Sequence, residues 1–257
     1  MNNISFLLLS IFFCWTSNAQ ENTTTIEVYY NYKTMFLNVG NAYEINSILT
    51  FNNKESLYEM DHTRSFGSKN EDSISNKIKS ENSTSMSFSL KAKNNDFVYK
   101  NFSNNEMNYT NLISMEEFFI KSSLDTLMTW TLAPETKEIL SYTCQKAATE
   151  FGGRYYVAYF TDKIPINNGP WRFHGLPGLI LEIESTDGKF KLEATSIEIK
   201  NEPSSIDNPF KDNKSISWEE FLKVYKKKYD EIRRNSMEEW GPSQSIPKKG
   251  IVEYIKD

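Results

Sequence analysis

The sequence predicts a mainly β (α+β) domain: one antiparallel sheet, curved into a half-barrel, with a C-terminal helix packed on it. Three observations lead there. Several segments alternate polar and apolar residues with period two, as in Ser85–Leu90 and Lys189–Lys200. Such alternation marks a sheet with one buried and one wet face. Turn signals separate the segments, notably Gly152-Gly153 and Asp187-Gly188. One late stretch, Trp218 to Ile232, instead places its apolar residues three and four apart, the helical spacing.

Bulk properties narrow the function classes. The chain has 257 residues and a net charge of −5. A mildly acidic balance argues against a nucleic-acid binder, which needs a basic face to displace counterions. Ile4 to Trp15 is an apolar run too short to span a bilayer. Small residues at Ser17 and Ala19 follow it, so residues 1–19 read as a cleaved signal peptide and 20–257 as one domain. The expected address is the periplasm, with further secretion left open. No transmembrane run is read in the mature chain. Cys144 is then the one cysteine of the mature chain, and the histidines are His62 and His174. That is too sparse a set for most zinc sites, and no cofactor motif is read.

In chain order, Thr25 to Leu37 is rich in β-branched and aromatic residues and reads as the first strand. Ser85–Leu90, Asp96–Phe102, Leu127–Leu132 and Arg154–Thr161 read as further strands, and 67–84 as a long exposed loop. Lys137–Phe151 is compatible with helix or strand. A hairpin is favoured because Tyr142, Cys144 and Lys146 alternate with Thr143 and Gln145 before Gly152-Gly153. A second hairpin joins Leu179–Glu184 to Lys189–Lys200, with Asp187-Gly188 expected at the positive φ angles of a primed turn. After a Pro-containing linker, 201–212, Ser217 and Glu220 form a capping box. The helix then carries an apolar stripe opposite Lys223, Lys226, Lys227 and Lys228; a solvated face is the favoured reading of these lysines over an anionic partner.

The densest punctuation is GPWRFHGLPGLILEI, residues 169–183. Leu176-Pro177-Gly178-Leu179 has the composition of a type II turn, with proline presetting φ and Gly178 expected at positive φ. Gly175 is expected to allow close backbone approach. The segment should fold back and send Leu179-Ile180-Leu181 into a buried strand. It holds no nucleophile, and its glycines lack the spacing and the Lys-Ser/Thr pair of a phosphate loop.

The same residues carry a resemblance. Gly175–Ile180, "GLPGLI", resembles the signature of the GLPGLI family of secreted Bacteroidota proteins. Around it, Trp130 with Pro134–Lys137, Tyr142–Ala147, Phe151–Arg154, Ala158–Thr161, Ile164–Ile166 and Gly169-Pro170 follow in the order that family shows. The resemblance is specific over 127–187 and implies a single domain of that family. It implies no agreed activity. It does imply association with outer-membrane TonB-dependent transporters.

The leading functional expectation is a periplasmic, non-enzymatic binding or accessory module serving such transport. It would take a peptide, a lipid-like ligand or a transporter domain, through Arg154, Tyr156, Tyr159, Trp171, Arg172 and His174. Arg154 and Arg172 could clamp a carboxylate; the plainer reading pairs them with Glu182 or Glu184. The aromatics could line a groove; the plainer reading is core. Cys144 with His174 is the alternative, a cysteine-dependent hydrolase, against Cys144 as a small buried hydrophobe. A purely structural envelope role is the third reading. Glu182 and Glu184 are expected on the solvent face. Asp72-Ser73-Ile74 resembles a Bacteroidota O-glycan acceptor. The expected architecture is a half-barrel like the periplasmic lipoprotein carriers, with a β-sandwich as the alternative.

Overall fold

The computed structural model describes residues 24–35, 42–65, 96–113, 116–125, 128–200 and 205–240. The leader, the 67–84 loop, the Ser85–Leu90 strand and the Asp72 acceptor lie outside these. The strands are β1 (Thr25–Met35), β2 (Ala42–Phe51), β3 (Glu55–Ser65), β4 (Asp96–Asn101), β5 (Glu106–Ile113), β6 (Glu116–Ser123), β7 (Thr131–Ile139), β8 (Tyr142–Phe151), β9 (Arg154–Thr161), β10 (Leu179–Ser185), β11 (Phe190–Lys200) and β12 (Ile216–Ser217). Helix α1 spans Trp218–Trp240. Every strand joins one sheet, ordered β12-β6-β5-β4-β3-β2-β1-β11-β10-β9-β8-β7. Two meanders, β1–β6 and β7–β11, are therefore zipped together where β1 pairs with β11. Pairing is antiparallel except between β12 and β6.

Chain connectivity dictates the curl. In a flat sheet β6 and β7 would lie ten strand spacings apart, about 48 Å. Residues 124–130 bridge them, and that link reaches at most about 29 Å when fully extended. The sheet must bend until its two margins approach, which is the curved, half-barrel architecture expected.

The concave side is filled by the chain's own loop 162–178. Within it Ile164, Asn168, Gly169, Pro170, Arg172, Phe173, His174, Leu176 and Gly178 are all buried. Phe173 sits among Tyr156, Phe151, Trp171 and Phe190 at ring separations of 4.9–5.9 Å. The loop is a plug, and it covers the inner face of β10 so that Leu179, Ile180 and Leu181 are wholly enclosed. Helix α1 packs on β6 and β12 and reaches the plug at its first turn, where the Trp218 ring lies 5.8 Å from the Arg172 guanidinium. Phe221 meets Phe118 at 5.7 Å and Trp218 at 5.3 Å. Its capping box forms as read: Ser217 N–H donates to Glu220 Oε2 (2.9 Å) and Glu220 N–H to Ser217 Oγ (3.1 Å).

Three local expectations are corrected. The roles of two glycines are exchanged. Gly175 is the one at positive φ (+99°), whereas Gly178 is required by proximity. A Cβ on Gly178 would press on the Thr161 carbonyl oxygen and stand 2.7 Å from its carbonyl carbon. Gly178 N–H donates to Leu176 O (2.8 Å), a γ-turn over Pro177, not a type II turn. Second, Gly188 alone at the β10–β11 turn has positive φ (+70°). Gly188 N–H bonds Ser185 O at 2.9 Å, and Ser185 Oγ accepts from Lys189 N and Phe190 N. The primed pattern expected there appears instead at Leu140-Ser141 (φ 50° and 66°), the bend joining β7 to β8. Third, Glu182 is buried, paired with Lys137 (2.6 Å) and Lys191 (3.8 Å).

Candidate functional site: an asparagine-lined cavity beside the plug

The six residues singled out from sequence do not form one exposed site. Tyr156 is core. Arg154 is buried at the far end of the sheet, where its Nε lies 3.2 Å from Asp187 Oδ2. The ion pair is with Asp187 rather than the expected Glu182 or Glu184, because the β8–β9 and β10–β11 turns set Arg154 against the hairpin tip. Tyr159 is half-buried on the outer face, with the Lys137 ammonium 4.0 Å above its ring. Arg172, 1% exposed, stacks its guanidinium on Trp171 (4.0 Å) and Tyr109 (4.5 Å), with Phe151 at 5.1 Å. Burial among rings leaves it no solvent-exposed side for a carboxylate clamp, and aromatic faces supply part of its counter-field. Trp171 itself is held at φ 51°.

His174 is tied on both ring nitrogens. Nδ1 lies 2.8 Å from Arg172 O and Nε2 2.7 Å from Leu124 O. Its own carbonyl accepts the indole N–H of Trp130 at 2.7 Å. Burial, then the charge of Lys100, hold its imidazole below the ordinary value. Cys144 is enclosed in β8 with Sγ 3.4 Å from Tyr142 O, and burial pushes its thiol up to about 11. The structure therefore does not bring Cys144 and His174 together: the imidazole is spent on backbone carbonyls and the thiol is the opposite of activated.

What sequence reading missed is beneath and beside His174. Lys100, on β4, is fully buried. Its ammonium donates to Asn168 Oδ1 (3.0 Å), Gly169 O (2.9 Å) and Phe173 O (2.9 Å), all in the plug. Three acceptors match the three N–H groups of an ammonium. Burial alone pulls its amine down to about 7, and the three bonds work against that pull by favouring the charged form. The signal was available: alternation in Asp96–Asn101 puts Lys100 on the same face as apolar Val98.

At the same end of the sheet lies a cavity of about 840 Å³. Loops following β2, β4 and β9 converge on it, and each brings an Asn-Asn pair. Asn52, Asn53, Asn105 and Asn167 line it together with Asp125 and His174. Phe51, Phe102, Met128 and Ile164 form an apolar wall. Asn52 Oδ1 accepts from Lys54 N (2.8 Å) and Glu55 N (2.9 Å), fixing its turn. Asn105, at φ 55°, donates to Ser123 Oγ (3.0 Å) and to Asp125. Asn167 Oδ1 accepts Gly175 N–H, which directs the Asn167 amide nitrogen elsewhere. Amides both donate and accept, so such a lining suits a neutral, hydroxyl-rich or amide-bearing guest. The repeated Asn-Asn dipeptide was legible in the sequence; its convergence was not. Among the described residues no cluster of His, Cys, Asp and Glu is arranged to hold a metal ion, and no helix is long and apolar enough to cross a membrane.

Fold and site together define a curled-sheet β domain, internally plugged, with an amide-lined cavity at one end. The family model for the N-glycanase peptide N-terminal domain matches residues 48–219, well over half of the chain, and the chain belongs to that family. It is similar in fold to the solved structure of PNGF-II in space group C2, at 18% identity and a TM-score of 0.50, over 80% of this chain and 32% of that one. The P21 form of PNGF-II gives the same identity and TM-score, with 34% of its chain covered. The chain thus spans about a third of the length of these structures. No curated protein matches it.

Proposed function

We propose that this chain is a non-catalytic, exported binding domain whose cavity holds the saccharide portion of a glycosylated peptide. The observation that carries the reading is the convergence of Asn52, Asn53, Asn105 and Asn167 on one 840 Å³ cavity with an apolar wall. Amides and the Asp125 carboxylate answer hydroxyl groups, and the apolar wall takes the C–H faces of a sugar ring. Family membership supports the choice of guest, because the matching model describes the N-terminal domain of an N-glycanase. The domain would present glycosylated chains to a catalytic partner and add affinity by linkage. A periplasmic address and association with an outer-membrane TonB-dependent transporter, implied by the leader and the GLPGLI resemblance, place that partner in the envelope. Co-purification from envelope extract tests the association.

The test of the cavity is calorimetry with three titrants: an N-glycopeptide, the same peptide without its glycan, and a fatty acid. The glycopeptide is expected to bind and the other two not. Asn53→Ala, a change at an exposed rim residue, is expected to weaken binding roughly five- to tenfold, one hydrogen bond's worth, with the melting temperature unchanged. Equal binding of both peptides overturns the saccharide assignment in favour of a peptide site, and binding of the fatty acid alone assigns the cavity to lipid.

A further inference from the structure

The cavity has a rigid wall made of strand ends and a second wall made of the plug. Ile164, Ile166, Asn167, His174 and Gly175 belong to that second wall. Backbone bonds hold one limb of this loop to β10, Leu179 N–H on Ile164 O (3.1 Å) and Ile180 N–H on Asn168 O (3.0 Å), but they do not reach the limb that carries His174. The acceptors of Lys100 are the residues flanking Asn167 and His174: Asn168 and Gly169 follow Asn167, and Phe173 precedes His174. We infer that Lys100, which does not line the cavity, is its positioning residue: a three-point anchor that sets the plug wall from across the sheet. The inference rests on the cavity being the ligand site only for its binding consequence, not for its structural one.

The geometry gives the anchor a direction. Asn168 Oδ1, Gly169 O and Phe173 O lie on two limbs of the loop, and one tetrahedral nitrogen bonds both limbs. Release of that nitrogen leaves the limbs joined only by their own weaker ties, Gly175 N–H on Asn167 Oδ1 and Phe173 N–H on Pro170 O (3.1 Å), while β9 and β10 stay paired through Leu179 to Ser185. Further polar ties of the plug, the indole N–H of Trp130 on His174 O and His174 on Leu124 O, act at its Gly175 end. Among the described residues the hydrogen bonds of the Lys100 nitrogen go to the plug, at Asn168, Gly169 and Phe173. Its loss should therefore be felt locally.

The experiment compares wild type with Lys100→Met, which keeps the side-chain volume and removes the donors, by amide hydrogen exchange. Exchange in residues 164–178 is expected to rise at least about tenfold, with the 186–189 turn and β1–β3 unchanged. Lys100→Ala is run beside it, with n-propylammonium added to replace the missing tail and charge, and n-propanol as the uncharged control. The amine is expected to restore protection of 164–178 and the alcohol not to. Glycopeptide binding should fall in Lys100→Met in step with the lost protection. An equal rise across the whole sheet overturns the inference, because Lys100 is then an ordinary core residue; so does equal rescue by amine and alcohol. If protection is lost locally but the wild-type protein binds no glycopeptide, the anchor stands and the ligand reading fails. If Lys100→Ala does not fold, yield on refolding with each additive replaces the exchange readout, with the same two outcomes.

Discussion

Two loops of this protein both turn at a glycine of positive φ, Gly188 and Gly175, and differ in construction. The β10–β11 turn, residues 186–189, answers its polar groups from within. Ser185 Oγ donates to Asp187 Oδ1 (2.7 Å) and accepts from Lys189 and Phe190, and the neighbouring β8–β9 turn joins in through Arg154 on Asp187 and Tyr155 O, which accepts Thr186 N–H (2.9 Å). The plug has ties of its own, such as Gly178 N–H on Leu176 O, and adds to them partners from far along the chain. Lys100 reaches Asn168, Gly169 and Phe173, Trp130 reaches His174 O, and Tyr30 Oη donates to Ile180 O at 2.6 Å just beyond it. Glycine marks both loops as places where the chain bends, and proline marks the plug as well. What decides whether a loop is an exposed connection or part of the core is where its backbone finds hydrogen-bond partners.

The contrast can be broken most severely at its glycines. Gly178→Ala is expected to cost more than about 4 kcal/mol, or to prevent folding, because a methyl would meet the Thr161 backbone with no side chain able to yield; urea denaturation measures it. Next comes Arg172→Leu, expected to cost about 3 kcal/mol through loss of a desolvated cation stacked on several rings and imperfect refilling of its space. The third effect is pH-dependent. Because His174 titrates below its usual value in the fold, the unfolded chain takes up a proton first as pH falls below about 6.5. Stability is therefore lost toward acid, at no more than about 1.4 kcal/mol per pH unit for one proton. Denaturation curves at pH 5 to 7 should show a shallower slope in His174→Asn. The smallest effect is Gly188→Ala, where φ is +70° but no atom lies within 4 Å of the added methyl. About 1 kcal/mol is expected, and a cost near that of Gly178→Ala would erase the distinction between the two loops.

The same distinction explains what was readable in advance. Composition placed β1, alternation placed β4, β9 and β11, the turn signals around it placed β10, and the capping box placed the start of α1, because those signals act between residues a few positions apart. The curl and the role of 169–178 as turn-plus-strand entry also followed. The site was less legible. Arg172 and His174 were singled out for exposure they do not have, because a bend rich in Trp, Arg and His looks the same whether it lines a groove or fills one. Lys100 and the three Asn-Asn loops went unnoticed because their meaning depends on β4 lying across from the plug and on β2, β4 and β9 ending at one rim. The turn at Leu140-Ser141 was missed since neither residue favours positive φ; the pairing of β7 with β8 imposes it.

The zip between β1 and β11 bears on how the protein is made. Thr25 pairs with Lys200 and Ile26 with Ile199, so the first meander emerges with one flank bare until some 175 further residues have followed. Through that interval Val28, Tyr30 and Tyr32 sit on a strand with an open margin, which is a template for pairing with other chains. Closing such a distant contact is slow. In a protein built this way the risk of wrong pairing is concentrated in synthesis and falls once the zip has closed.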